Sequence, residues 1–236
     1  RFVTRPRRAA RWLGRLALLL LAAALLLQAW YLGWVAAYRW IDPRETAFMA
    51  RERARIEQLR PGAGLKHDWV GYDSISVHLK RAVVAAEDAR FLEHEGVDWD
   101  AVQKAIEVNR QRGRRARGAS TITQQLAKNL FLSPERSYLR KGQELAITMM
   151  IEALWDKRRI LEVYLNVVEW GDGVFGAEAA ARHYYGVPAA RLGVQESARL
   201  AVMLPRPKFY DRNRGSEYLA RRAATIQRYM GDAAIP

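Results

Sequence analysis

Residues 118–129 read GASTITQQLAKN, and an apolar LFL follows at 130–132. Thr121, Gln124, Gln125 and Lys128 fall at i, i+3, i+4 and i+7, while Ile122, Leu126 and Leu130 share the opposite spacing. That is the 3.6-residue period of an amphipathic helix, not the alternation of a strand. The polar stripe carries neutral donors and acceptors with a single cation, groups suited to sugar hydroxyls, acetamido groups and phosphate oxygens. Ser120 or Thr121 is placed to cap the helix start, where free backbone N–H groups also favour an anion. Gly118 lets the backbone approach closely.

The same period recurs over most of the chain. A polar helix is expected over RETAFMARERARIEQL (44–59), in a region broken by Pro43, Pro61, Gly62 and Gly64. LKRAVVAAEDARFLEH (79–94) reads as one helix closed by Gly96. WDAVQKAIEVNRQR (99–112) follows, and Ser133-Pro134-Glu135 looks like the start of a helix running to Trp155. KRRILEVYLNVVEW, GAEAAARHYYG, QESARLAVML and SEYLARRAATIQRYM continue the pattern to residue 230. No alternating strand and no repeat is visible, so the expected fold is mainly α. The arginine run at 110–117, with Gly113 and Gly118, is the expected mobile loop.

The chain has 236 residues, no cysteine and a net charge of +14. Thiol nucleophiles, disulfides and cysteine metal sites are excluded. The charge points to an anionic partner. Residues 16–38 carry no charge and are long enough to cross the ~30 Å hydrocarbon core as a helix. Trp30, Tyr31 and Trp34 lie toward its far end, where interfacial aromatics concentrate. Six arginines and no acid precede it, which puts residues 1–15 in the cytoplasm and everything after about residue 40 outside. Its length and bulky aromatic end argue against a cleaved signal peptide. The reading divides the chain into a basic arm (1–15), a transmembrane helix (16–38), a connecting region (39–78) and an external domain (79–236). Without the arm's six charges the rest is still +8. An external domain at a membrane does not meet chromosomal nucleic acid, so the partner is lipid headgroup or lipid-linked phosphate.

Two further clusters carry chemistry. Glu87, Phe91 and His94 would share a helix face beside Val83 and Val84, leaving Glu87 partly desolvated and suited to general acid or base work. Arg136, Arg140 and Glu144 are spaced by four, with Lys141 at their border; two arginines could hold a diphosphate. The plainer alternative is an Arg140–Glu144 pair, worth only ~0.3–0.5 kcal/mol on a surface. The Asp-Trp-Asp at 98–100 lacks an α/β sheet to carry it. The histidines show no metal spacing, and no S-x-x-K acylating motif appears.

Five segments in order, EDARFLEHEG, RGASTITQQLAKN, RKGQE, RRILEVYLN and GVFGAEAAARHYYG, match one family between about residues 80 and 210. The chain resembles the monofunctional peptidoglycan glycosyltransferases of family 51, whose domain class A penicillin-binding proteins share. The resemblance implies a lysozyme-like, two-lobed, mainly α domain behind a single N-terminal transmembrane helix. It implies polymerisation of lipid II into glycan strands at the outer face of the cytoplasmic (inner) membrane, for cell-wall biogenesis. Glu87 matches the catalytic glutamate and Glu144 the second carboxylate, near the leaving diphosphate or orienting its cations. Ser120, Gln125, Lys128, Arg136 and Arg140 match donor-site positions. Thr121, Gln124, Asn129 and Lys141 complete the substrate-binding set. No cofactor and no metal site are expected. The expected partners are lipid II, the growing glycan-diphosphate lipid, the membrane, and cell-wall synthesis or division proteins. One position departs from some relatives: Gln143 stands where they carry a basic residue. A lytic enzyme on finished glycan and a lipid-binding scaffold are the competing readings.

Overall fold

The computed structural model describes residues 6–111, 119–135 and 137–236, and only the backbone of 6–10. Residues 112–118, which hold most of the arginine run, and Arg136 lie outside the described residues.

Helix α1, Pro6–Tyr38, exposes leucines along most of its length. Its Arg11–Tyr38 part is long and apolar enough to cross a membrane. The far end is packed on the domain. Val35 is fully buried, and Trp155 Nε1 donates to its carbonyl at 2.7 Å. Tyr38 stacks on Phe131. The Arg159 guanidinium donates to the carbonyls of Tyr38 (2.9 Å) and Ile41 (3.1 Å), satisfying the acceptors that a helix end leaves open. In the connecting region, α2 (Ala47–Leu59) is capped by Thr46, whose hydroxyl accepts from Met49 N–H, and it turns Met49 and Ile56 into the core.

The domain continues with α3 (Val77–Glu87), α4 (Trp99–Gln111), α5 (Ile122–Phe131), α6 (Tyr138–Leu154) and α7 (Lys157–Val167). After a small sheet come α8 (Ala177–Tyr185), α9 (Val194–Met203), α10 (Pro207–Arg212) and α11 (Glu217–Tyr229). Helix α7 is central: Ile160, Leu161, Val163, Tyr164, Leu165 and Val167 are all fully buried, while Lys157, Arg158, Arg159 and Glu162 keep one edge of its first two turns polar. Helix α5 packs on α6 and α7, and α9 packs between α3 and α11. The end of α3 meets α5 where these two groups join.

The structure departs from the sequence expectations at four places. The helix expected over 79–94 stops at Glu87, because the Asp88 side chain is taken up by tertiary hydrogen bonds. The start expected at Ser133 falls at Ser137, whose hydroxyl accepts from Arg140 N–H. Leu132 is buried and extended, so the chain must cross before it can coil again. Helix α10, led by Pro207, was not foreseen. A three-stranded sheet exists, with β1 (Lys66–His67) parallel to β3 (Val174–Phe175) and β3 antiparallel to β2 (Glu169–Gly171). Its strands are too short to show alternation, although Asp172-Gly173 is a hairpin signal and Gly173 has φ of 75°.

Asn166, on α7, holds the connecting region in place. Its side chain donates to Val70 O and Glu162 O and accepts from Val70 N–H, at 2.9–3.0 Å. Next to it the chain passes through Gly176 at φ of 84°, where a Cβ would lie 2.7 Å from the Asn166 carbonyl oxygen. Both the backbone conformation and the contact exclude a side chain. Gly176→Ala should therefore lower stability by about 1–3 kcal/mol. Chemical denaturation of the two proteins in the same detergent checks this, and an unchanged midpoint would contradict it.

Candidate active site

Glu87 is the last residue of α3. The next residue leaves the helix at φ −160°, ψ 70°. Asp88 Oδ2 accepts from the N–H of Ile122, the first residue of α5, at 3.0 Å, and Oδ1 pairs with His94 Nε2 at 2.8 Å. Glu87, Phe91 and His94 consequently do not share a helix face. Phe91 is fully buried in the core, His94 serves Asp88, and Glu87 alone faces open space.

Gln125 Nε2 donates to Glu87 Oε2 at 2.8 Å. The Tyr164 hydroxyl donates to Gln125 Oε1 at 2.9 Å, which fixes the amide with its NH2 toward the carboxylate. Tyr164 is fully buried, and its phenol is held well above the usual range by burial and by the charges of Glu87 and Asp88, so it stays a donor. Burial raises the proton affinity of Glu87, and the neighbouring Asp88 charge adds to this. The Gln125 hydrogen bond and the charges of Lys128 and Arg222 oppose the rise. The result is a carboxylate more basic than a solvated one but still favoured in its ionised form by a directed donor.

One turn further along α5, Lys128 is half-buried and makes no hydrogen bond or ion pair among the described residues. Its nearest aromatic partner is the Phe48 ring, 5.4 Å from Nζ. Burial lowers its pKa and the charges of Arg140 and Lys141 add to this, while Glu144 and Glu87 pull the other way. Glu144 is buried on α6, where it accepts from Arg140 at 2.6 Å and from Lys141. The i, i+4 pairing of Arg140 with Glu144 is therefore formed, but in a buried setting. Lys141 also reaches Ser120 Oγ, at 3.5 Å. Arg136 lies outside the described residues.

Thr121 and Gln124 have another task. Thr121 Oγ1 accepts from Gln124 N–H at 3.2 Å, Gln124 Oε1 accepts from Thr121 N–H at 3.4 Å, and Thr121 Oγ1 donates to Gly96 O at 2.7 Å. This is a capping box, and it makes Thr121, not Ser120, the helix cap. Asn129 is buried.

Two hollows open on either side of Glu87. One, of about 530 Å³, is lined by Arg206, Phe209, Tyr210, Tyr218 and Arg222. The other, of about 370 Å³, is lined by Asp88, Lys104, Ser120, Thr121 and Arg222. Sequence reasoning missed Tyr164, Lys104, Arg206, Tyr218 and Arg222. A lone phenol in the apolar run of α7 was a usable signal for Tyr164. Lys104, Tyr218 and Arg222 sit on helices whose surface charge and aromatic content look ordinary, and Arg206 sits in the turn before α10.

A profile of the family described as "Transglycosylase" matches residues 52–231. Curated relatives named "Biosynthetic peptidoglycan transglycosylase" align over nearly their full length. The protein from Dechloromonas aromatica (strain RCB) is 56% identical over 96% of this chain and 98% of its own. The one from Azoarcus sp. (strain BH72) is 58% identical over 96% and 97%. The one from Paraburkholderia phytofirmans is 52% identical over 100% and 98%.

Replacing Gln125 by leucine removes the donor that favours ionised Glu87. The carboxyl should then titrate at higher pH, because the group loses stabilisation only in its charged form. A carbon-13 NMR titration of Glu87 measures the change, and a midpoint that stays or falls would contradict the role given to Gln125.

Proposed function

The chain belongs to the transglycosylase family, and we propose that it polymerises lipid II into linear glycan strands of peptidoglycan. The observation that carries the mechanism is the position of Glu87 between two hollows, oriented by Gln125 and Tyr164 and made more basic by burial. The hollow beside Ser120 takes the donor, the growing chain on undecaprenyl diphosphate. The hollow lined by Arg206 and Tyr218 takes the acceptor lipid II. Glu87 removes the proton from the C4 hydroxyl of the acceptor GlcNAc. That oxygen attacks C1 of the donor MurNAc, the bond to the diphosphate breaks, and the anomeric centre inverts from α to β.

The leaving diphosphate gathers charge as the bond breaks, so preorganised donors act most strongly there. Lys128 is the cation assigned to meet it, since its side chain forms no ion pair among the described residues. Lys141 and Ser120 lie at the mouth of the same region. Glu144 orients Arg140 and Lys141 rather than touching the sugar, and Thr121 and Gln124 hold the start of α5. Helix α1 is a single-pass anchor. The six arginines of residues 1–15, most of them in its first turns, favour a cytoplasmic N-terminus, with the domain on the outer face of the cytoplasmic membrane.

Glu87→Gln should lower polymerisation of lipid II by about 10²–10⁴-fold, the usual contribution of a positioned general base, while a lipid diphosphate still binds. Substantial residual turnover would remove Glu87 from that role. Incubation with purified sacculi separates the lytic reading, because release of muropeptides in place of glycan polymer from lipid II would favour hydrolysis of finished strands. Lys128→Met should weaken binding of an undecaprenyl diphosphate lipid while leaving the denaturation midpoint close to wild type. An unchanged affinity in a titration would count against a diphosphate at Lys128.

A further inference from the structure

Gln28 is the one amide side chain in the uncharged run at 16–38. Its side chain is half-buried and faces α6. Gln28 Nε2 donates to Gln143 Oε1 at 2.8 Å, and Gln143 Nε2 donates back to Gln28 Oε1 at 3.1 Å. The two amides form a closed pair across 115 residues of sequence. An amide in a membrane-crossing segment is costly unless its donor and acceptor are both met inside the protein. Each glutamine here meets the other's need.

The pair joins the anchor to one particular helix. Gln143 directly precedes Glu144, and α6 also carries Arg140 and Lys141. Ile147 and Ile151 turn α6 into the core, while Tyr138 and Leu139 at its start are 98% and 87% exposed. Seven residues beyond Gln28, about 10 Å along the helix, the Val35 carbonyl accepts from Trp155 just past the end of α6. Tyr31 packs edge-on against Phe131 in between. Helix α6 therefore runs alongside α1 with its exposed apolar start toward the lipid side.

We propose that the Gln28–Gln143 amide pair is a register lock between the anchor helix and α6, setting the depth at which Arg140 and Lys141, oriented by Glu144, meet a membrane-borne diphosphate. The diphosphate part rests on the function proposed above. A one-residue slip along α1 would move α6 by about 1.5 Å, and a full turn by about 5.4 Å, distances that matter to hydrogen bonds on a headgroup. Both glutamines are positioning residues: they touch each other and not the substrate. The pair also gives a structural reason for an amide where some relatives carry a basic residue. A cation at 143 would face an apolar helix, whereas an amide finds its complement there.

The full chain in phospholipid vesicles tests this. The protein has no cysteine, so Q28C/Q143C introduces the only two thiols. The shortest bis-methanethiosulfonate cross-linker should join them, and should not join L26C/Q143C, since Leu26 points away into lipid. Equal yields for both pairs, or none for the first, would overturn the lock. This arm does not depend on catalysis and stands even if the proposed function fails. In a second arm, Q28L should lower turnover of lipid II held in vesicles roughly five- to tenfold, the scale of losing two interhelical amide bonds. Turnover of a short-chain lipid II analogue dissolved in detergent should be unchanged, because depth no longer matters there. Equal loss on both substrates would mean a merely structural role, and no loss on either would mean that the register is not limiting; both overturn the proposal. A wild-type protein that polymerises neither substrate would instead count against the proposed function.

Discussion

The side chain of Asp88 decides where everything else in the site stands. It ends α3 one residue after Glu87 and accepts the first free N–H of α5, so a negative charge sits at the positive end of that helix. Helix α3 belongs with α9 and α11, and α5 with α6 and α7. One carboxylate thus ties the two groups together beside the residue that must face both hollows. Had α3 continued, its next turn would have filled the space that Glu87 now opens onto. The His94 bond on the other oxygen and the Thr121 bond to Gly96 close the loop between α3 and α5 from both ends.

Given that position, the chemistry at Glu87 is a balance between burial and a few directed groups. Burial and the adjacent Asp88 charge hold its proton affinity up. Gln125 limits the rise, and it can do so only because Tyr164 occupies the amide oxygen and leaves the NH2 no other orientation. A fully buried phenol is unfavourable unless its O–H has a partner; here the partner is the amide that serves the carboxylate. Lys128 shows the opposite arrangement. Glu144 already has two cations, Arg140 and Lys141, so a third on α5 feels Glu144 and Glu87 only at a distance and forms no ion pair among the described residues. An anionic ligand is the natural complement of that surplus.

The helical class was legible because the apolar period persists through α5, α9 and α11, where packing and local preference agree. It failed at 88–94, where local preference favoured a longer helix and the tertiary bonds of Asp88 outweighed it. Serine caps were legible as a kind but not as a position: Ser133 and Ser137 are equally good caps, and only the path of buried Leu132 chooses between them. In the site, Glu87, Gln125, Lys128 and Glu144 could be singled out because carboxylates, amides and a lone cation stand out on helices with apolar stripes. Thr121 and Gln124 carry the same residue types and turn out to form the cap. Lys104 comes from α4, Tyr218 and Arg222 from α11, and Arg206 from the turn before α10, and nothing local marks them as neighbours of Glu87.

The anchor is longer than a bilayer requires, and that excess has a use. Helix α1 spans 33 residues, about 50 Å at 1.5 Å per residue, against a hydrocarbon core of ~30 Å. From Gln28 onward it is engaged by the domain, through Gln143, Phe131, Trp155 and Arg159. The stretch from Arg11 to Leu27 is then what remains for lipid, about 25 Å, and arginine side chains at its start can snorkel to cover the difference. On the reading proposed above, the outer edge of the hydrocarbon would fall near Gln28 and not near Tyr38. Helix α6 would then begin near that level, with exposed Tyr138 and Leu139 leading directly into Arg140 and Lys141. A diphosphate carried on a membrane lipid lies at the same boundary. Substrate charge and protein charge therefore meet without either leaving its own solvent, which is the physical condition that a polymerase acting on lipid-linked sugars has to satisfy.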